Sequence, residues 1–117
     1  MKLSNRQIGA VGVTRVASAL MRLGYSVLTP IEDYSGYDLV AEKRGRFIRI
    51  QVKTSERKDP RCNRYGFMTS KGASGKDLYK GGVDVFVLYG LDDDMFWIVK
   101  AKNCKSKNYK ATIRTGS

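Results

Sequence analysis

A chain of 117 residues, 42% of them apolar, is long enough for one domain with a real core. It has no histidine, and its two cysteines, Cys62 and Cys104, form no Cys-x-x-Cys pair, which excludes zinc fingers, histidine bases and Ser-His or Cys-His triads. Net charge is +11, and no apolar run reaches the ~18 residues of a membrane-spanning helix, so no membrane association is expected. Met1 to Arg6 leads into an amphipathic pattern and not an apolar signal core; a reducing cytoplasm with two free thiols is the expectation.

Ser4-Asn5-Arg6-Gln7 fits a capping box, and Gly9, Val13, Val16, Ala17 and Leu20 then share one helical stripe. Gly24 is a natural stop, so a helix is expected over 5–23. Gly9 and Gly12 thin its first half, which suits close approach to a sheet or to a phosphate, with plain helix–sheet packing as the simpler reading. Tyr25 to Thr29 reads as a strand ended by Pro30, and Ile31 to Gly36 as a turn carrying Glu32 and Asp33.

Residues 37–54 organise the rest of the chain. Tyr37 to Ala41 is an apolar run, Glu42 to Arg46 a charged turn with Gly45, and Phe47 to Lys53 alternates strictly. Ile48, Ile50 and Val52 fall on one face, Arg49, Gln51 and Lys53 on the other. A β-hairpin pairs Asp38 with the neighbourhood of Gln51 and Lys53. An acid, an amide oxygen and an ammonium at one sheet end match a Mg²⁺ site with a lysine beside it. The same alternation also describes an edge hairpin with a solvated polar face.

Residues 55–82 read as the least regular part. Glu56 to Arg61 is a charged loop, Asn63 to Thr69 a short strand, and Lys71 to Lys76 a glycine-rich basic loop without the spacing of a P-loop. Asp77 to Lys80 reads as one helical turn. Val83 to Tyr89 has almost no polar face and is expected to be central and covered on both sides. Asp92-Asp93-Asp94 reads as a solvated hairpin tip, and Met95 to Val99 as the partner strand, with Trp97 available to the core or to an interface. Lys100 to Lys110 reads as basic and partly helical, and Ala111 to Arg114 as a last short strand.

Charge is uneven along this order. Residues 42–64 carry nine Lys/Arg against three acids, and residues 100–117 carry six Lys/Arg and no acid. Two basic segments point to a face for a polyanion, nucleic acid first, with a solvated basic surface as the alternative.

The order of helix, three strands, irregular segment and two strands, with Asp38 on the second strand and Gln51-x-Lys53 on the third, resembles the PD-(D/E)XK nuclease superfamily. The resemblance is carried by Gly9 to Gly12 with Val16 and Leu20, by Gly24-Tyr25 and Pro30, by Tyr37-Asp38-Leu39-Val40 and Ile50 to Thr54, and by Val83 to Phe86 and Ile113-Arg114. It implies an α/β fold with a restriction-endonuclease-like αβββαβ core: a mixed central sheet with an N-terminal helix packed on it, in a single domain over 1–117. The pattern is similar to intron-encoded homing endonucleases that carry Gln in place of the usual acid, and to small Holliday junction resolvases. One departure is that Gly12 is followed by Val13, where such families often place a Glu.

The resemblance implies a Mg²⁺-dependent DNA endonuclease, with Mn²⁺ able to substitute. Asp38, Gln51 and Lys53 are its expected catalytic residues, and Asp38, Gln51 and the Val52 carbonyl its metal ligands, completed by DNA phosphate, Glu32 or Asp33. Lys53 is expected to orient the attacking water and stabilise phosphoryl charge. Arg57, Lys58, Arg61, Arg64, Lys71 and Lys76 are expected on DNA phosphates, and Tyr65 and Phe67 are candidates to reach bases. The partner is DNA, duplex or branched, and double-strand cleavage by so small a chain requires a dimer or tetramer. Other readings are a catalytically inactive DNA-binding module on the same fold and a basic RNA- or protein-binding domain.

Overall fold

In the computed structural model, which describes residues 2–32, 36–68, 70, 71, 77, 78, 82–103 and 108–112, the chain opens with helix α1 (Asn5–Arg22). Its capping box is complete: Gln7 N–H donates to Ser4 Oγ (3.2 Å) and Ser4 N–H to Gln7 Oε1 (2.8 Å). The helix lies on a five-stranded sheet of order β1 (Ser26–Leu28), β2 (Leu39–Lys43), β3 (Arg46–Ser55), β7 (Val85–Gly90), β8 (Met95–Lys100). Only β3 and β7 pair in parallel; every other neighbour is antiparallel.

This is the expected α/β architecture with a mixed sheet. Between β3 and β7 run β4 (Arg64–Met68), β5 (Ser70–Lys71) and β6 (Asp77–Leu78), and β9 (Asn108–Thr112) closes the chain. Among the described residues of that crossover no helix occurs.

The alternation in β3 decides both layers. Ile50 and Val52 face α1 and join Val16, Leu39, Ala41 and Val87 in an aliphatic core. Gly12 is where the helix touches the sheet: a Cβ there would lie 1.8 Å from Thr54 Oγ1. Close approach therefore rests on Gly12 and not on Gly9, which has nothing near it. On the other face, Phe86 and Leu88 join Tyr65 and Phe67 of β4 in an aromatic core that Trp97 and Val99 border. Strand β7 is buried from Phe86 to Gly90, as its lack of a polar face predicts. Trp97 is a core residue, 5.8 Å from the Tyr65 ring and 6.2 Å from that of Phe67.

Two of three local expectations change. Asp77 and Leu78 are extended, paired with β5, and not a helical turn; residues 79 and 80 lie outside the described residues. The basic segment after β8 is partly helical as expected, with a 3₁₀ turn at Ala101–Asn103; residues 104–107 lie outside the described residues. The last strand begins at Asn108, before the expected Ala111, and pairs antiparallel with β4; Ile113 and Arg114 lie outside the described residues. A lysine-rich segment has weak strand propensity, and the pairing with β4 overrides it. No described helix is long and apolar enough to cross a membrane.

Candidate active site

The β2–β3 hairpin turns through Arg44 and Gly45, both at positive φ (55° and 78°), the geometry of a tight two-residue turn. The strands pair Leu39 with Ile50 and Lys43 with Arg46. Just before β2 the ladder is irregular. Asp38 N–H donates to the Ile50 carbonyl (2.8 Å), although Ile50 already faces Leu39. Two residues thus oppose one, as in a β-bulge, a feature that re-aims a side chain.

The re-aimed side chain is that of Asp38. Arg49 turns its N–H and C=O toward β7, where the N–H meets Asp84 Oδ2 (2.8 Å) and the C=O accepts from Asp84 N–H (2.9 Å). Alternation then turns those of Val52 toward β2. There the Val52 N–H meets no backbone carbonyl of β2 but Asp38 Oδ2, at 2.9 Å. Gln51 Nε2 donates to the same oxygen, also at 2.9 Å. A carboxylate only accepts, so the Gln51 amide must present its NH₂ to Asp38 and aim Oε1 elsewhere.

Burial raises the Asp38 carboxyl above the usual aspartate range; the Val52 N–H and the Lys53 charge pull it back. Lys53 is thus felt at Asp38, from the face it shares with Gln51. The structure brings together Asp38, Gln51, Val52 and Lys53, the cluster the sequence predicts.

The expected DNA-contact residues divide. Arg57, Lys58, Cys62, Arg64 and Tyr65 line a cleft of about 360 Å³ next to the turn that Asp59 organises. Lys58 is paired with Asp93 (3.5 Å) and Arg61 with Asp59 (3.2 Å). Among the described residues neither Arg57 nor Arg64 forms an ion pair. Lys71 lies on β5, and Lys76, like Asp33, lies outside the described residues. Glu32 is exposed. Tyr65 and Phe67 are 0% and 4% exposed, so neither reaches a base; each holds the aromatic core instead.

A family model of the PD-(D/E)XK endonuclease matches residues 3–116. The chain belongs to the PD-(D/E)XK endonuclease family. The fold of this PD-(D/E)XK chain is also similar to that of a solved bacterial homing endonuclease, I-Ssp6803I, with a TM-score of 0.78, 20% sequence identity, and coverage of 97% of this chain and 78% of that one. No curated protein matches the chain.

The donors available to a metal in this PD-(D/E)XK site are hard oxygens: the Asp38 carboxylate, Gln51 Oε1 and the Val52 carbonyl on the β2 side. They fit a small divalent cation such as Mg²⁺, which takes one or two carboxylates and keeps waters and substrate phosphate in its shell. Among the described residues no group of three or more His, Cys, Asp or Glu gathers, so Asp38 is the anionic member of the set. Val13 is half-buried against the aliphatic core, where it packs as an apolar residue.

Sequence reading missed Arg49 and Asp84. Arg49 shares the face of Gln51 and Lys53, and Asp84 grips its guanidinium at Nε (3.1 Å) and at the second nitrogen, Nη2 (3.0 Å). The pair ties β3 to the start of β7 beside the site. The one sequence signal was an aspartate just ahead of an apolar strand.

Proposed function

We propose that this chain is a Mg²⁺-dependent endonuclease of duplex DNA, acting in the manner of a homing endonuclease, with Mn²⁺ able to replace Mg²⁺. The observation that carries it is Asp38: a half-buried carboxylate lifted out of the ladder by a bulge, held by Val52 N–H and Gln51, with Lys53 on the face of Gln51.

Those hydrogen bonds fix the Asp38 carboxylate in place before any ligand arrives. Gln51 both anchors Asp38 and offers Oε1 as a neutral ligand. Asp38, Gln51 Oε1 and the Val52 carbonyl would hold the metal, which would supply Lewis-acid stabilisation of the phosphoryl oxygens. Lys53 orients the attacking water and stabilises negative charge on the non-bridging oxygens as the P–O bond breaks. Arg57 and Arg64 line the neighbouring cleft and position the flanking backbone. A dimer or tetramer brings two such sites to the two strands.

The test uses supercoiled plasmid and a four-way junction, each with Mg²⁺, Mn²⁺ or EDTA. The wild type should cut the plasmid in either metal and not in EDTA. Asp38→Ala and Lys53→Ala should each lose cleavage by roughly 10²-fold or more while DNA affinity by fluorescence anisotropy stays within about 2-fold. Equal loss of binding and cutting in Lys53→Ala would remove its catalytic role. Junction cutting in preference to plasmid would make the activity resolvase-like. Binding without cutting in either metal would instead fit an inactive DNA-binding module, a reading favoured by Asp38 being the one carboxylate of the site among the described residues and by Val13.

A further inference from the structure

The tip of the β2–β3 hairpin forms a second cationic pocket that the active site does not use. It has a volume of about 560 Å³ and is lined by Tyr25, Lys43, Arg44, Arg46 and Ile48. Three of its five lining residues are cations and none is an acid. The nearby acid, Glu42, is turned onto the Gly45 N–H (3.1 Å). Lys43 is fixed in place: its ammonium donates to the Leu23 carbonyl (3.1 Å) and lies 4.9 Å from the centre of the Tyr25 ring. The tight turn then holds Arg44 and Arg46 on either side of Gly45.

Register places this pocket away from the nuclease centre. Lys43 faces Arg46, and Arg46 shares the face of Ile48, Ile50 and Val52, which is the helix face. Gln51 and Lys53 are on the opposite face. Arg46 and Lys53 are seven positions apart on one strand, about 23 Å at ~3.3 Å per residue. A duplex seated on Gln51 and Lys53 meets the far end and the other side of the sheet.

We infer that the Tyr25–Lys43–Arg44–Arg46 pocket binds the phosphodiester backbone of a second DNA segment, so that one chain holds two segments on opposite faces of its sheet. Guanidinium pairs suit phosphate oxygens, and a cup of three cations without an acid suits a polyanion better than a peptide. The inference rests on the reading of the chain as a DNA-acting protein, but its test needs no cleavage.

In EDTA, the full chain is bound to a short biotinylated duplex on beads, washed, and given a fluorescent second duplex. The wild type should retain the second duplex. Arg44→Asn combined with Arg46→Glu should retain less than a tenth of it, and its log–log salt slope for DNA binding should fall by about 2. Asn tolerates the left-handed backbone at position 44, and thermal melting by circular dichroism checks the fold. If that variant does not fold, Arg46→Gln, within the strand, should still halve retention or more.

Undiminished bridging by the variants would overturn the inference, because bridging would then come from the catalytic faces of an oligomer. So would variants that lose binding to phosphatidylglycerol vesicles but keep the second duplex. Bridging without metal-dependent cutting would sink the nuclease reading and leave this pocket standing; cutting without pocket-dependent bridging would do the reverse.

Discussion

The two hairpins of the central sheet have tips of opposite charge and opposite fate. The β2–β3 tip is basic and points its Arg44 and Arg46 into an open cup. The β7–β8 tip is acidic, and its aspartates turn back onto the protein. Asp94 receives Arg15 of the helix through two hydrogen bonds (3.0 and 2.7 Å) and the Tyr89 hydroxyl. Asp93 receives the Tyr65 hydroxyl and Lys58. One acidic tip therefore latches the layers on both faces of the sheet.

Ion pairing leaves the net charge of +11 unchanged but decides where positive charge faces solvent. Asp84, Asp93 and Asp94 stay partly open to solvent, yet each is tied to a base of the same chain. At the other tip Arg44 and Arg46 line an open pocket, and Arg57 and Arg64 line the cleft beside the active site.

The comparison breaks most readily at Tyr65. Tyr65→Ala empties a fully buried ring and should cost about 3–5 kcal/mol in a thermal or urea melt. Tyr65→Phe keeps the ring and removes only the link to Asp93, at about 1–3 kcal/mol. Equal losses in the two would mean that the tip contributes most of the stability and the ring little.

Gly12→Ala attacks the same latch from the helix side. Its Cβ collides with Thr54, so the helix must lift, and Arg15 lies less than one turn further on. The expected loss is about 1–3 kcal/mol, largely recovered by adding Thr54→Ala. No recovery would show that the contact with Thr54 is not what limits the helix.

Acid sharpens the contrast further. Arg15 holds the Asp94 carboxyl below the usual aspartate range, and Arg49 does the same for Asp84. A depressed folded-state pKa stabilises above the unfolded value, and that stabilisation is lost as pH falls through the folded one. Stability should therefore drop at pH values below the ordinary aspartate range, and Asp94→Asn should flatten that drop. Asp38 has the opposite sign. Its raised pKa opposes folding once the carboxyl ionises, so Asp38→Asn should melt no lower than wild type at neutral pH while abolishing cleavage.

The smallest effect belongs to the basic tip. Arg46→Glu should change stability by less than about 0.5 kcal/mol. A larger loss would mean that this tip, like the acidic one, is part of the fold.

Much of this was legible along the chain. The capping box, the stripe through Val16, the alternation of Ile48 to Lys53 and the apolar run of β7 are local patterns, and each became its element. Asp38, Gln51 and Lys53 were legible as a cluster because a hairpin with a short turn fixes its own register. Tyr65 and Phe67 stood as candidates to reach bases, because nothing local distinguishes an aromatic on an exposed short strand from one that covers Phe86 and Leu88. Asp92 to Asp94 form the solvated tip that the sequence predicts, but the added ties of Asp93 and Asp94 to Tyr65 and Arg15 were not legible, because those partners are distant in sequence. Strand β9 was set too late because its pairing partner lies some forty residues earlier.

The α/β order, the hairpin and the residues that meet at its open end follow from local sequence pattern alone. Those depend on side-chain periodicity and a turn, which act over a few residues. Only the tertiary structure decided which acids are spent on bases of the same chain, which aromatics are buried, and which cations remain open. Those are contacts between segments far apart in the chain, set by how the helix and the β4–β9 ribbon close on the two faces of one sheet.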